Sequence, residues 1–126
     1  MDLNDFLTDF NQGAAPDAIN ALETAVGKLP DDYTAFMLEC NGGEGVFGVL
    51  WSVEEVPPFN EDYQVKICAP GLILFGSNGG GEGFAFDTRN NFNVVRIPFI
   101  GMDLKYAKPI ASTFTAFLKQ ASTGND

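Results

Sequence analysis

Residues 71–99 read GLILFGSNGGGEGFAFDTRNNFNVVRIPF, and this stretch decides the fold. Gly71 to Phe75 form a strongly apolar strand, and Gly76-Ser77-Asn78-Gly79-Gly80-Gly81 a loop. Phe84 and Phe86 then point one way, with Ala85 and Asp87 the other, and Asn90-Asn91 makes the turn. On the return strand Val95, Ile97 and Phe99 share a face, with Arg96 opposite. Two alternating strands around a short Asn-rich turn are a hairpin signal. One-sided alternation predicts an antiparallel sheet with one wet face.

Upstream the period changes to that of helices. Leu3, Phe6, Leu7 and Phe10 follow the i, i+3, i+4, i+7 spacing of an amphipathic helix over residues 2–12. A second helix begins near Pro16, a favoured first-turn residue, carries Ile19, Leu22 and Val26 on its apolar stripe, and stops at Gly27. Leu29-Pro30 opens a third, with Asp31 and Asp32 in its first turn, where negative charge is favoured, and Tyr33, Phe36, Met37 and Cys40 toward the core. Val46-Phe47 and Val49-Leu50-Trp51 read as short strands. Residues 52–66 are polar, contain Pro57-Pro58, and read as an excursion with little regular structure. A closing helix starts at Pro109 and packs Ile110, Phe114, Phe117 and Leu118 over the sheet, and residues 122–126 fray. The expected fold is α+β: a single domain over 1–126, its curved antiparallel sheet flanked by N-terminal helices and one C-terminal helix.

The totals narrow the function. A chain of 126 residues that is 45% hydrophobic buries enough apolar area for one core, so it is not a disordered segment. The net charge of -10 excludes nucleic acid and anionic membrane as partners and permits a basic protein. Thirteen acids and one base, Lys28, fall in residues 1–62, whereas residues 63–126 carry four acids and six bases. The N-terminal half therefore supplies an acidic face if folding keeps it together. Cys40 and Cys68 have no metal-ligand or CxxC spacing; Cys40, on the apolar face of its helix, fits a buried free thiol, and a reducing cytoplasm fits this usage. The opening MDLNDFLTDF has no apolar signal-peptide core, and no apolar run approaches a membrane span.

Catalytic chemistry is sparse. With no histidine, the chain has no Ser-His-Asp or Cys-His system, no His-ligated metal and no imidazole base. Gly43-Glu44-Gly45-Val46-Phe47-Gly48-Val49 mimics a kinase glycine loop, with Lys66 following, but neither an H-R-D nor a D-F-G segment is present. A dinucleotide fingerprint needs a strand before and a helix after, and here the order is reversed. The loop at Gly76–Gly83 lacks the G-K-[ST] of a phosphate loop, and Glu82 would repel phosphate. Neither cofactor nor metal is expected. Irregular surface segments commonly carry function, and acids concentrate in this one. The expected partner-binding residues are therefore Trp51, Glu54, Glu55, Glu61 and Asp62, joined by Glu44 and Glu82. Core packing is the alternative role for Trp51, and solvated charge is the alternative for the paired acids.

Several short segments carry a resemblance. Leu29-Pro30-Asp31-Asp32-Tyr33, then Phe36 and Asn41-Gly42-Gly43, with Glu23 in the preceding helix, are followed by Leu72-Ile73-Leu74-Phe75-Gly76, Asn78-Gly79-Gly80-Gly81-Glu82, Phe84-Ala85-Phe86-Asp87 and Phe114-x-x-Phe117-Leu118. In this order they resemble the SUKH superfamily over about residues 15–121, while 2–12 and 52–66 match least well. The resemblance implies a helix-flanked curved antiparallel sheet and a non-catalytic binding protein. Bacterial members look like immunity proteins that neutralise cognate toxins, often nucleases or deaminases. Fungal relatives include the cell-wall assembly regulator, which implies the alternative of a regulatory or scaffolding module without a toxin partner.

Overall fold

The computed structural model describes residues 3–122. Seven short antiparallel strands form one curved, unclosed sheet, and each lies beside its neighbours in sequence. They are β1 (Asp9–Phe10), β2 (Gly43–Gly45), β3 (Gly48–Leu50), β4 (Leu72–Ser77), β5 (Glu82–Asp87), β6 (Asn93–Pro98) and β7 (Lys108–Ala111). Helices α1 (Pro16–Val26) and α2 (Asp31–Glu39) separate β1 from β2, α3 (Val56–Asp62) and α4 (Val65–Cys68) separate β3 from β4, and α5 (Phe114–Ser122) follows β7.

The helix signals act where their chemistry places them. Pro16 takes the first turn of α1, and Gly27 closes it at φ 99° with its N–H donating to the Glu23 carbonyl. The Glu23 carboxylate in turn accepts from the Leu29 N–H at 2.8 Å, which fixes the short link into α2. Asp32 accepts from both the N–H and the hydroxyl of Thr115, each at 2.9 Å. It thereby satisfies an orphan donor in the first turn of α5 and ties α2 to α5.

The core hairpin is β4–β5–β6, and its register sorts the side chains. Cross-strand partners share a face, so Phe84 and Phe86 lie with Arg96 and Val94, while Gly83 and Ala85 lie with Ile97 and Val95. On the first face Phe75, Phe84 and Phe86 meet Tyr33 of α2 and Phe114 and Phe117 of α5; Phe75 stacks on Phe86 at 4.5 Å, and Tyr33 meets Phe114 edge-on at 5.1 Å. On the second face Phe99 packs near Gly83 and Leu74 and stacks on Tyr63 at 4.3 Å, next to Phe59 of α3. Val95 and Ile97 are buried there. The expected wet face is thus covered at its centre, because residues 52–66 are not an irregular excursion. Pro57 and Pro58 sit in the first turn of α3, where a missing N–H costs nothing, and the helix lays its rings on the sheet.

Other boundaries shift as well. The N-terminal segment is no helix: Leu3–Asp5 form a single 3-10 turn, and Asp9–Phe10 pair with β2 as the sheet's first strand. A helix of so few turns is marginal alone, and the backbone at Gly43 leaves room for β1, since a Cβ there would stand 2.3 Å from the Asp9 carbonyl. The β2–β3 turn falls on Val46-Phe47 rather than on the flanking glycines. Pro109 lies in β7, an edge strand that tolerates it, and the last helix starts at Phe114. The tail expected to fray lies, from residue 123 on, outside the described residues.

Tyr33 carries an imbalance. Its ring is fully buried and its hydroxyl has no hydrogen-bond partner among the described residues. Burial pushes the phenol's ionisation well above its ordinary range. An unpaired buried hydroxyl costs about 1–3 kcal/mol, and phenylalanine keeps the ring. Tyr33→Phe is therefore expected to stabilise the fold by about 1 kcal/mol and to raise Tm by about 4 °C. A lower Tm in thermal unfolding would mean that the hydroxyl is bonded in solution.

Candidate functional site: an acidic sheet edge

Because the strands follow sequence order, the charge asymmetry of the chain becomes an asymmetry of the sheet. The β1 edge carries exposed Asp9 and Glu44, with exposed Glu54 and Glu55 following β3, whereas exposed Lys105 and Lys108 stand at the β7 edge. Asp9 lies directly across from Glu44. Like charges in that position oppose pairing. Asp9, Glu44 and Glu55 line a depression of about 180 Å³ whose remaining wall is Asn11, Gly43, Val49 and Leu50. That is below the size of ordinary small-molecule sites. Among the described residues, no three His, Cys, Asp or Glu side chains are grouped so as to hold a metal ion.

Asn41 fixes this edge. Its side-chain carbonyl accepts from the Val53 N–H at 2.8 Å and its amide donates to Glu54 Oε1 at 2.7 Å. Its backbone carbonyl accepts from the Asn11 amide at 2.9 Å, and its N–H donates to Gln12. One residue thus joins the end of α2, the segment just after β1 and the acidic segment after β3. Gly42 beside it stands at φ 87°, where a Cβ would meet the Leu50 carbonyl at 2.5 Å. Glu55 caps its own segment, accepting from the N–H and hydroxyl of Ser52 at 3.0 Å. Asn41→Ala removes two side-chain bonds, one to a part-buried N–H, and is expected to cost about 2 kcal/mol. Urea unfolding reads this directly, and a loss below about 0.5 kcal/mol would remove Asn41 from that organising role.

The residues singled out from the sequence separate into four settings. Glu44 and Glu55 come together with Asp9 at the β1–β3 edge, and Glu54 is held by Asn41. Glu61 and Asp62 are exposed at the far end of α3, and Glu61 borders a different, larger groove. Glu82 pairs with Arg96 at 3.4 Å and accepts from the Asn78 amide, so its charge is matched within the sheet. Trp51 is buried, with its ring 4.4 Å from Phe59; it packs the core and presents no ring at the surface in this conformation. Asp9 lies outside that set because helical spacing covers residues 2–12, and a two-residue strand leaves no periodic signal.

The glycine motifs have backbone roles. In the 43–49 segment Gly45 and Gly48 pair across the strands that flank the Val46-Phe47 turn, with Gly48 at φ 130° against the Ser77 carbonyl. In the 76–83 loop Gly79 and Gly81 take positive φ, and the Asn78 side-chain oxygen accepts from the N–H groups of Gly80 and Glu82. This is a tight strand connection. Asp87-Thr88-Arg89-Asn90-Asn91 is likewise a turn, with Arg89 donating twice to the buried Asp87 carboxylate at 3.0 Å. Cys40 and Cys68 are free thiols, and burial pushes the Cys40 thiol up, away from reactivity.

No helix of the described residues is long and apolar enough to cross a membrane. No curated protein matches the chain in a sequence comparison. The family model described as SMI1 / KNR4 family (SUKH-1) matches residues 13–120, a span that runs from the glycine before α1 almost to the end of α5. The chain therefore belongs to the SMI1/KNR4 (SUKH-1) family, a family of immunity and regulatory modules.

Proposed function

We propose that this protein is an immunity protein that acts in the cytoplasm, binding a basic protein toxin of nuclease or deaminase type and occluding its working surface. The observation that carries this reading is the segregated acidic edge: Asp9, Glu44 and Glu55 line one depression, with Asp9 opposite Glu44 at a cost to strand pairing. Charge held together against its own repulsion is explained by a partner of opposite sign. A groove built for phosphate is basic, and a carboxylate edge can occupy it in place of the nucleic-acid backbone. Long-range attraction speeds capture, and the contacts made after docking govern release. Glu61 and Asp62, at the end of α3, extend the negative potential beyond the edge. Trp51 acts beneath it by holding α3 to the sheet through Phe59.

The test is protection. Cells co-expressing this chain with the toxin domain encoded beside its gene are expected to grow, and the purified pair to form a stoichiometric complex. Cells carrying Asp9→Lys, Glu44→Lys and Glu55→Lys together are expected to die. If the wild-type chain binds a host signalling protein and no toxin, it is a regulatory module. If the purified chain turns over a small molecule, and one carboxylate substitution abolishes the turnover, the binding-only reading is wrong.

A further inference from the structure

On the side of β4 that faces β3, the sheet is incomplete. β3 ends at Leu50, opposite Gly76, and its last bond is the Trp51 N–H to the Phe75 carbonyl at 3.0 Å. Below that point the side chain of Asn60 replaces the missing strand. Its amide donates to the Leu74 carbonyl at 2.9 Å, and its oxygen accepts from the Leu74 N–H at 2.8 Å. A carboxamide presents one donor and one acceptor, as a strand residue does, so Asn60 imitates a single residue of a partner strand. The next outward-facing residue is Leu72, because Gly71 is turned toward β5, where its carbonyl accepts from Thr88. The Leu72 N–H donates to Ala69 at 3.2 Å, and no donor reaches the Leu72 carbonyl among the described residues. Leu72 is only 6% exposed.

This edge forms part of the lining of the larger groove, about 640 Å³, whose other walls come from α1, α3 and α4. Its apolar lining includes Val26, Pro57, Val65 and Ile67, and Ile67 is 78% exposed. Glu61 and Lys66 line it with one charge of each sign, so the groove offers no net charge to a strongly charged segment. An apolar trough beside a strand edge with an unpaired acceptor fits an extended backbone, which supplies N–H donors at strand spacing and side chains on alternate sides.

We propose that the groove between α1, α4 and β4 receives a short, uncharged, extended segment of a partner protein, added beside Leu72 as a strand that continues from Asn60. This surface lies apart from the acidic edge and does not depend on the toxin reading.

The experiment is an amide-resolved NMR titration of the full chain with the capped peptide Ac-Ser-Val-Thr-Val-Ser-NH2. Its counterpart with N-methylated valines has the same apolar side chains but lacks those donors. The expected result is shifts at Leu72, Ile73, Ile67 and the Asn60 side-chain amide, with binding about tenfold weaker for the methylated peptide, as for loss of one bond to a buried acceptor. Ala25→Arg, an exposed helical position at the groove, is expected to abolish the shifts while leaving the rest of the spectrum intact. Absence of shifts at millimolar peptide overturns the proposal. So does equal binding of the methylated peptide, which would mark a simple apolar pocket. Groove shifts that appear on concentrating the protein alone, together with a doubled mass, would assign the surface to a second copy instead.

Discussion

Replacing Phe75 by alanine is expected to destabilise the protein by about 4 kcal/mol. Phe75 is 1% exposed and its ring touches five others: Phe86 at 4.5 Å, Phe117 at 5.5 Å, Phe114 at 5.6 Å, Tyr33 at 6.0 Å and Phe84 at 6.4 Å. It is therefore the point at which β4, β5, α2 and α5 share one set of contacts. Truncation removes the transfer term of the ring and leaves a cavity walled by rings that are held on rigid elements and cannot collapse into it. Domains of this size have about 5–15 kcal/mol in total, so the variant loses a large part of its stability. The denaturant midpoint measures the loss. Phe59→Ala provides the comparison: Phe59 is half-buried at the margin of the second face, and about 2 kcal/mol is expected there. If Phe75→Ala cost no more than Phe59→Ala, the first face would not be the principal core.

Reversing the acidic edge is expected to have the largest effect on function. Asp9→Lys, Glu44→Lys and Glu55→Lys each add two charges, so the triple variant moves from -10 to -4. All three positions are exposed, and like charges face each other across β1 and β2 before and after the change, so the cost to folding is confined to the two Ser52 bonds of Glu55, about 1 kcal/mol. Association with a basic toxin is then expected to slow by about 10–100-fold at low ionic strength, and the difference should shrink as salt shortens the Debye length. Stopped-flow or surface-based rates at two salt concentrations give the answer. Reversal of Lys105 and Lys108 at the opposite edge is the matched control, with little change in rate expected. The lysine reversal takes the chain to -14, so faster association there, matching the slowing in the triple variant, would assign the effect to net charge alone, and an unchanged triple variant would move the contact surface elsewhere.

Much of this architecture was legible from residue chemistry. Pro16, Gly27, Leu29-Pro30 and the Phe84/Phe86 alternation each state a local conformation that tertiary contacts then reinforce, and the structure keeps all of them. The misread segments are those in which partners distant in sequence decide the outcome. Leu3, Phe6, Leu7 and Phe10 have helical spacing, yet the free edge of β2, more than thirty residues away in sequence, draws Asp9–Phe10 into a strand. Pro57-Pro58 looked like a breaker but opens α3, since the same ring that ends a helix suits its first turn. Of the site, the acids of residues 44–55 could be picked out by composition alone. Their union with Asp9, the matching of Glu82 by Arg96 and the bridging by Asn41 depend on pairings that no local pattern encodes.

The in-order arrangement of the sheet also bears on how the molecule acquires its shape. The meander β4–β5–β6 closes through two short connections, so little chain entropy is lost before its pairing is gained, and it can nucleate early. β1 must instead wait for α1 and α2 to fold back before it meets β2, and it contributes only two residues when it does. The strand that completes the acidic edge is thus the last to dock and the first to open, and amide exchange should be fastest at the margin that carries the charge.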